Sequence, residues 1–175
     1  MLRSLVLLTG ILSLAACAPM GASPTGPRAT ASLQSTAGNS AAGIVRFAQR
    51  GDKVLVSGTV SGLRPLALHG FHVHEKGDCS SPDATSAGGH FNSGGQPHGR
   101  HTAMAHHAGD LASLQADENG VARFAFEATG LSVGGGASDI VGRALIVHRD
   151  PDDYTTQPTG NSGPRLACAV IAAAP

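Results

Sequence analysis

Two histidines in the segment "GFHVHEKGDC" are separated by a single residue, His72 and His74. In a helix, side chains two residues apart point to nearly opposite sides, whereas in a strand they share a face. A strand would place the starts of the two imidazoles about 6.6 Å apart, close enough to converge on one ion. His148 ends the apolar run "ALIVH" and is a further candidate. Three or four imidazole nitrogens in a flattened arrangement suit copper(II).

A second set of candidate ligands lies in the glycine-rich segment that follows. It reads H-x7-H-x8-H-x2-D and consists of His90, His98, His107 and Asp110. Three neutral imidazoles and one carboxylate can complete a tetrahedral shell, which suits zinc. The glycines allow the segment to fold back around an ion. Spacing alone therefore predicts two partial sites and does not establish that two metals bind.

Other histidines have a plainer interpretation. His69 lies on the opposite strand face from His72 and is interpreted as a satisfied polar or surface residue. His101 and His106 are interpreted as surface groups, although either could compete for an ion and make metal loading slightly promiscuous. A histidine-rich loop could also be a metal sponge of low specificity. The strand-borne pair argues against that alternative, because a sponge needs no rigid partner.

The elements that must position these side chains are strands. Alternation of period two is clear in "KVLVSGTVS" and "ARFAFEA". Eight strands are predicted, at 29–35, 43–49, 53–61, 70–76, 111–116, 122–128, 144–148 and 166–171. No segment carries a sustained helical period. The pattern predicts an all-β sandwich or flattened barrel with two long functional loops, 77–110 and 149–165.

The first residues have the layout of a secretory signal, predicted to span residues 1–16. The ending Leu14-Ala15-Ala16-Cys17 resembles a bacterial lipobox, which predicts a lipidated Cys17; the alternative is an ordinary signal cut at an A-x-A site. Residues 17–28 are expected to form a flexible tether rich in Pro, Gly, Ala and Ser. Residues 29–175 are the length of one domain.

Charge and composition exclude some classes of function. Cleavage before Cys17 would remove Arg3 and leave 11 of the 12 Lys+Arg residues against 12 Asp+Glu. Such a balance argues against nucleic-acid binding and against a polybasic membrane surface. Contact with a membrane is therefore expected only through the lipid anchor.

Five segments, in order, resemble the motifs of the copper/zinc superoxide dismutase family: "GFHVHEKGDC", "GGHFN", "HAGDL", "ALIVH" and "GPRLACAVI". The resemblance covers residues 29–175. It implies an eight-stranded antiparallel Greek-key barrel. It also implies an enzyme that dismutates superoxide to dioxygen and hydrogen peroxide with copper and zinc as cofactors.

The resemblance also assigns roles to residues. It implies a copper site of His72, His74, His90 and His148, and a zinc site of His90, His98, His107 and Asp110. His90 would bridge the two metals and transfer a proton during catalysis. Asp152 would link a ligand of each metal, and Arg165 would receive the anionic substrate beside copper. Cys79 and Cys168 would form a disulfide, and a redox-active pair is disfavoured because there is no C-x-x-C spacing.

The loop before Arg165 carries few of the charges that guide superoxide in many relatives, so Lys76 or Arg100 could supply guidance. The lipobox predicts a periplasm-facing lipoprotein of the bacterial cell envelope. Ala18 after the cysteine favours the outer membrane in a cell with two membranes; in a cell with one membrane the same signal predicts attachment to its outer leaflet. A monomer and a homodimer both fit the sequence. The main alternative function is a non-catalytic copper- or zinc-binding envelope protein; an Ig-like adhesion module would need no ligand series at fixed spacing.

Overall fold

The computed structural model describes residues 26–175. The predicted signal peptide, Cys17 and most of the predicted tether lie outside the described residues. The described part contains ten strands and one short 3-10 helix, joined by loops. None of its helices is long and apolar enough to cross a membrane. The strands are β1 (Arg28–Ser35), β2 (Ala42–Arg50), β3 (Lys53–Ser61), β4 (Leu68–His69), β5 (Phe71–His74), β6 (Leu114–Gln115), β7 (Ala122–Ala128), β8 (Ala144–His148), β9 (Arg165–Val170) and β10 (Ala172–Ala174).

All strand pairs are antiparallel, and the main sheet runs β5-β8-β9-β1-β2-β3-β7, with β10 also paired to β1. The connections from β3 to β5 and from β7 to β8 each cross between opposite ends of this order. Such long returns are the Greek-key pattern. The predicted fold class, an all-β antiparallel Greek-key barrel or sandwich, is confirmed.

The sheet forms because alternate side chains bury one face. In β3, Val54, Val56 and Val60 are buried in the core. Gly51, with a φ of 61°, turns the chain between β2 and β3. A positive φ is strained for residues with a Cβ and open to glycine, so the hairpin closes at this point. The resulting core is largely aliphatic, with Phe47 fully buried in it.

One predicted strand is much shorter in the structure, and one observed strand was not predicted. The predicted strand 111–116 contributes only β6, which pairs with β4 in a small sheet of its own. The rest of that segment is held by single backbone bonds, from Leu111 N to Phe71 O (3.3 Å) and from Ala116 N to Ala67 O (2.9 Å). The ladder is interrupted at Gly70, whose backbone N–H and C=O bond instead to Asp150 and His148. The end of the chain instead supplies β10, which the sequence pattern did not predict.

A disulfide between Cys79 and Cys168 joins the long loop after β5 to strand β9, with Cα atoms 5.9 Å apart. The predicted disulfide is confirmed. The bond closes a segment of 89 residues in sequence separation. In the chain-entropy model, a loop of that size stabilises the fold by roughly 4–5 kcal/mol. The same loop carries the 3-10 helix Thr85–Ala87 and several of the candidate ligands.

Candidate metal centre

Strand β5 projects its residues alternately into the core and into a polar centre. Phe71 and Val73 pack in the hydrophobic core, while His72 and His74 point to the other side, and all four are buried. Strand β8 lies beside β5 in antiparallel register, with His74 opposite Ala144. Gly70 accepts a hydrogen bond from the backbone N–H of His148 (2.8 Å), which sets the end of β8 beside the start of β5.

The four-histidine group consists of His72, His74, His90 and His148, whose nitrogens lie within 4.8 Å of one another. All four residues are buried. Nδ1 of His72 and Nε2 of His90 are buried with no hydrogen-bond partner. The Nε2 atoms of His74 and His148 lie 3.3 Å apart. Buried nitrogens left without partners are costly unless something binds them.

The His/Asp group consists of His90, His98, His107 and Asp110, whose ligand atoms also lie within 4.8 Å of one another. Oδ1 of Asp110 lies 3.0 Å from Nδ1 of His90, 3.0 Å from Nδ1 of His98 and 3.5 Å from Nδ1 of His107. Oδ2 of Asp110 accepts backbone N–H bonds from Gly99 (3.0 Å) and His107 (2.9 Å). These bonds fix the carboxylate and leave Oδ1 facing the three rings.

His90 belongs to both groups. Its Nδ1 faces Asp110 and the His/Asp group, while its partnerless Nε2 belongs to the four-histidine side. The ring stacks on that of His72, with centroids 3.9 Å apart. One imidazole therefore presents a separate nitrogen to each group, which is the geometry of a bridging ligand.

Asp152 connects the two groups through one histidine of each, His72 and His98. Its Oδ2 lies 2.7 Å from Nε2 of His72, and its Oδ1 lies 2.9 Å from Nε2 of His98. The backbone N–H of Tyr154 donates to Oδ1 (2.7 Å). A ligating histidine is oriented by the partner of its other nitrogen. Asp152 thus turns the Nδ1 atoms of both histidines inward.

Backbone carbonyls orient two more rings. Nδ1 of His74 donates to the carbonyl of Gly88 (2.9 Å), and Nδ1 of His148 donates to that of Gly163 (3.1 Å). Both bonds direct Nε2 inward. These acceptors lie in the two long loops, so the loops determine ring orientation as well as the path of the chain.

Arg165 lies at the rim of this centre. Strands β8 and β9 change register after Val147, which places Arg165 opposite His148. Such a bulge re-aims a side chain. The guanidinium donates to the carbonyls of Ala84 and Gly88, the latter through Nη2 at 2.6 Å. Arg165 also lines a cavity of about 450 Å³ together with Asp83.

Burial sets the ionisation of most of the histidines. It lowers the pKa of His72, places those of His74 and His148 well below the usual range, and lowers that of His90 to about 4. These rings are therefore neutral at pH 7, which is the form that binds metals. His98 differs: burial opposes its protonation, but the hydrogen bonds that its ring donates to Asp110 and Asp152 raise its pKa to about 9.

The two carboxylates are ionised throughout the ordinary pH range. Burial alone would raise their pKa values. For Asp110 this is outweighed by hydrogen bonds from His107, His90 and His98, which hold its pKa far below the usual range. For Asp152, the hydrogen bonds from His72 and His98 outweigh the effect of burial and lower the pKa. The two anions supply the negative charge that a divalent ion requires.

His69 is a positioning residue that sequence reasoning did not find. Of the two expectations for it, a satisfied polar residue or a surface group, the structure agrees with the first: His69 is fully buried, and its Nδ1 donates to the carbonyl of His148 (2.8 Å). No sequence signal distinguishes this role, because it depends on β4 and β8 meeting. His101 and His106, expected at the surface, are half-buried and belong to neither group. Arg100 packs over the ring of Tyr154 at 4.1 Å.

Comparison with known proteins decides what kind of centre this is. The family model described as copper/zinc superoxide dismutase matches residues 41–171. The chain belongs to the copper/zinc superoxide dismutase family. Family membership identifies it as an oxidoreductase of superoxide dismutase type, with copper and zinc as its metals, so both of these predictions are confirmed.

Individual relatives agree with the family match. A copper-zinc superoxide dismutase of Paramecium bursaria Chlorella virus 1 is 43% identical over 135 residues, covering 74% of this chain and 71% of the relative. Copper-zinc superoxide dismutase 2 of Brassica juncea is 43% identical over 136 residues, covering 74% and 88%. The crystal structure of the clock protein EA4 superimposes with a TM-score of 0.77 at 38% identity, covering 87% of this chain and 99% of that one.

The residues of the centre fit the two metals of the family. The four-histidine group offers only imidazole nitrogens, two of them buried and partnerless, a donor set that suits copper. The His/Asp group offers three imidazoles and one carboxylate, which suits zinc. Every predicted ligand lies in one of the two groups; the assignment of a metal to each group stays a prediction.

Proposed function

We propose that this chain dismutates superoxide to dioxygen and hydrogen peroxide, with copper held by the four-histidine group and zinc by the His/Asp group. The observation that carries the proposal is the placement of His90, which turns Nδ1 toward one group and Nε2 toward the other. A storage protein has no need for a ligand shared in this way. An enzyme that alternates between two oxidation states can use it.

Bound copper would supply the one-electron oxidation and reduction of superoxide, while zinc, which has no redox chemistry, would hold its ligands in place. The overall reaction consumes two superoxide anions and two protons and yields one dioxygen and one hydrogen peroxide. Nε2 of His90 is the atom suited to carry one of these protons to the product. The other nitrogen of the same ring, Nδ1, faces the His/Asp group, where bound zinc would hold it and keep the ring aligned.

Arg165 would bind and orient the anion. Its bonds to the carbonyls of Ala84 and Gly88 fix the guanidinium and leave other N–H groups of the fork for a ligand. A small anion that enters the cavity beside Arg165 would meet a fixed positive charge next to His148. Fixed donors of this kind need no rearrangement when the substrate arrives.

The test is metal analysis combined with a superoxide-consumption assay on the purified protein. We expect one copper and one zinc in the buried centre of each chain, loss of activity when a chelator removes the metals, and recovery only when copper is restored. Zinc alone should restore stability without activity. A protein that holds both metals and consumes no superoxide would instead be a non-catalytic metal-binding protein.

We further propose that the chain acts as a periplasm-facing lipoprotein of a bacterial outer membrane. The support is the lipobox ending at Cys17, the following Ala18, and a disulfide of the kind that persists in oxidising compartments. Labelling with a radioactive fatty acid should mark the wild type and not the variant Cys17→Ala. Ala18→Asp should move the labelled protein to the inner membrane. Unlabelled wild type would exclude the anchor.

A further inference from the structure

The turn between His98 and His107 carries metal-binding side chains that the buried centre does not use. They are His101, Met104 and His106, in the sequence "HTAMAHH". They belong to neither of the two ligand groups in the described residues. Two imidazoles and a thioether within six residues form a donor set that differs in kind from those of the centre.

The two ends of the turn lie close together, with Gly99 packed against Ala105 and His106. The backbone N–H of Ala103 donates to the carbonyl of Arg100 (2.7 Å). A Cβ placed on Gly99 would lie 2.7 Å from the carbonyl oxygen of Ala105 and 3.6 Å from Cβ of His106. Only glycine allows this close approach. Residues near the start of the turn therefore lie beside those near its end.

Met104 is fully exposed, which is unusual for an apolar side chain of its size. A methionine ordinarily fills space in a core. Here the side chain packs in no core and instead lines, together with His106, a surface cavity of about 410 Å³. Nδ1 of His106 is directed to the carbonyl of His107 (2.6 Å), which leaves Nε2 of the same ring available.

His101 contributes a nitrogen in need of a partner. Its ring packs against Phe126, with centroids 6.2 Å apart, and its Nδ1 is buried with no hydrogen bond. Burial, followed by the neighbouring His106 and Arg100, lowers the pKa of His101. The ring is therefore neutral at pH 7 and able to act as a ligand.

We propose that Met104 and His106, which line the same surface cavity, bind monovalent copper together with the neighbouring His101, at a site separate from the buried dinuclear centre. Thioether sulfur is a soft ligand that selects Cu(I) and is a poor ligand for hard cations. The imidazoles supply the remaining donors. Because the turn connects two residues of the His/Asp group, the site holds its ion at the rim of the protein's own metal centre.

The experiment is an anaerobic titration of the holoprotein, with both metals of the centre in place and its copper reduced by ascorbate. Cuprous ion is added against a chromophoric chelator. We expect the wild type to retain one further copper per chain, and Met104→Leu to bind it at least tenfold more weakly. Because Met104 is fully exposed, this variant should fold normally; His106→Gln should weaken binding as well. Thr102→Ala, in the same turn, is the matched control and should bind as the wild type does.

X-ray absorption at the copper edge provides an independent signature, because sulfur scattering should accompany the additional copper and vanish in Met104→Leu. Retention of no further copper by the wild type would overturn the proposal, as would equal affinity in Met104→Leu. Neither result bears on the dismutase proposal, since superoxide consumption and the zinc content of the centre are measured separately on the same samples.

Discussion

Arg165 and His74 donate to the same carbonyl oxygen: Nη2 of Arg165 and Nδ1 of His74 lie 2.6 Å and 2.9 Å from the oxygen of Gly88. One backbone group thus orients both the residue proposed to bind the anion and a proposed copper ligand. Gly88 lies in the loop that the disulfide ties to β9. Any shift of this loop changes both side chains together.

The first prediction concerns that disulfide. Replacing Cys79 and Cys168 together by alanine should lower the free energy of unfolding by roughly 2–5 kcal/mol and reduce superoxide consumption, because the loop holding Gly88 loses its attachment. Chemical denaturation and activity are measured on the metal-loaded protein. Ser80→Ala, beside Cys79, is the control and should change neither quantity. Full activity in the double variant would show that the loop needs no covalent attachment.

Arg165→Lys should retain both metals and lose activity roughly ten- to hundredfold. A lysine ammonium cannot hold two carbonyls in the planar geometry of the guanidinium. Metal content and the rate of superoxide consumption are measured on the same preparation. Unchanged turnover at full copper occupancy would remove Arg165 from the mechanism.

Asp83 shares the cavity beside Arg165 and should repel an anionic substrate. Asp83→Asn is expected to raise kcat/KM for superoxide severalfold at low ionic strength, with the gain shrinking as salt screens the charge. Glu118→Gln makes the same change of charge in the turn before β7 and should have little effect. Equal effects of the two substitutions would indicate that only net charge matters.

Gly160 lies against Asp152, and a Cβ at this position would collide with Oδ1 of Asp152 and with Nε2 of His98. Gly160→Ala should therefore displace the carboxylate and weaken metal binding about 10- to 100-fold. Gly95→Ala is a matched control, since Gly95 has a φ of 60° against 62° for Gly160 and nothing lies within 4 Å of its Cβ. Backbone strain is the same in both variants. Equal metal affinities would contradict the steric argument.

The metal-free protein should lose stability as the pH falls from about 6.5 toward 4. Burial lowers the pKa of His90 to about 4 and those of His72, His74 and His148 in the same direction, so the unfolded chain binds more protons in this window. His98 acts oppositely: its stabilisation is present below pH 6.5 and is lost as the pH rises through about 9. Denaturant midpoints measured from pH 4 to 9 check both limbs. A flat profile between pH 4 and 6.5 would contradict the assignment.

Strand prediction succeeded where alternation was uninterrupted. The spans of β3, β7 and β8 match their predicted bounds. In β3 and β7 the more buried face repeats every second residue, whereas β8 is a short apolar run buried on both faces. The segment 111–116 failed because its buried residues, although apolar, pair over only two positions. An apolar pattern specifies burial and cannot specify how long a ladder runs.

The candidate ligands could be predicted from the sequence because metal chemistry restricts them to histidine and aspartate at fixed spacing. The groups that orient these ligands could not be predicted from the sequence. The carbonyls of Gly88 and Gly163 and the ring of His69 act through where the loops pass, and any residue type can supply a carbonyl. Orientation of the ligands is therefore a property of the folded chain that residue identity does not encode.

The two oxygens of the Asp152 carboxylate couple the binding of one metal ion to the binding of the other. One oxygen orients His72 of the four-histidine group and the other orients His98 of the His/Asp group, so whichever ion arrives first fixes the anion for its neighbour. Linkage requires this assistance to be reciprocal: zinc strengthens copper affinity by the same factor by which copper strengthens zinc affinity. Where this assistance exceeds the repulsion between the two cations, we expect the two groups to load cooperatively, with half-filled molecules the rarer species.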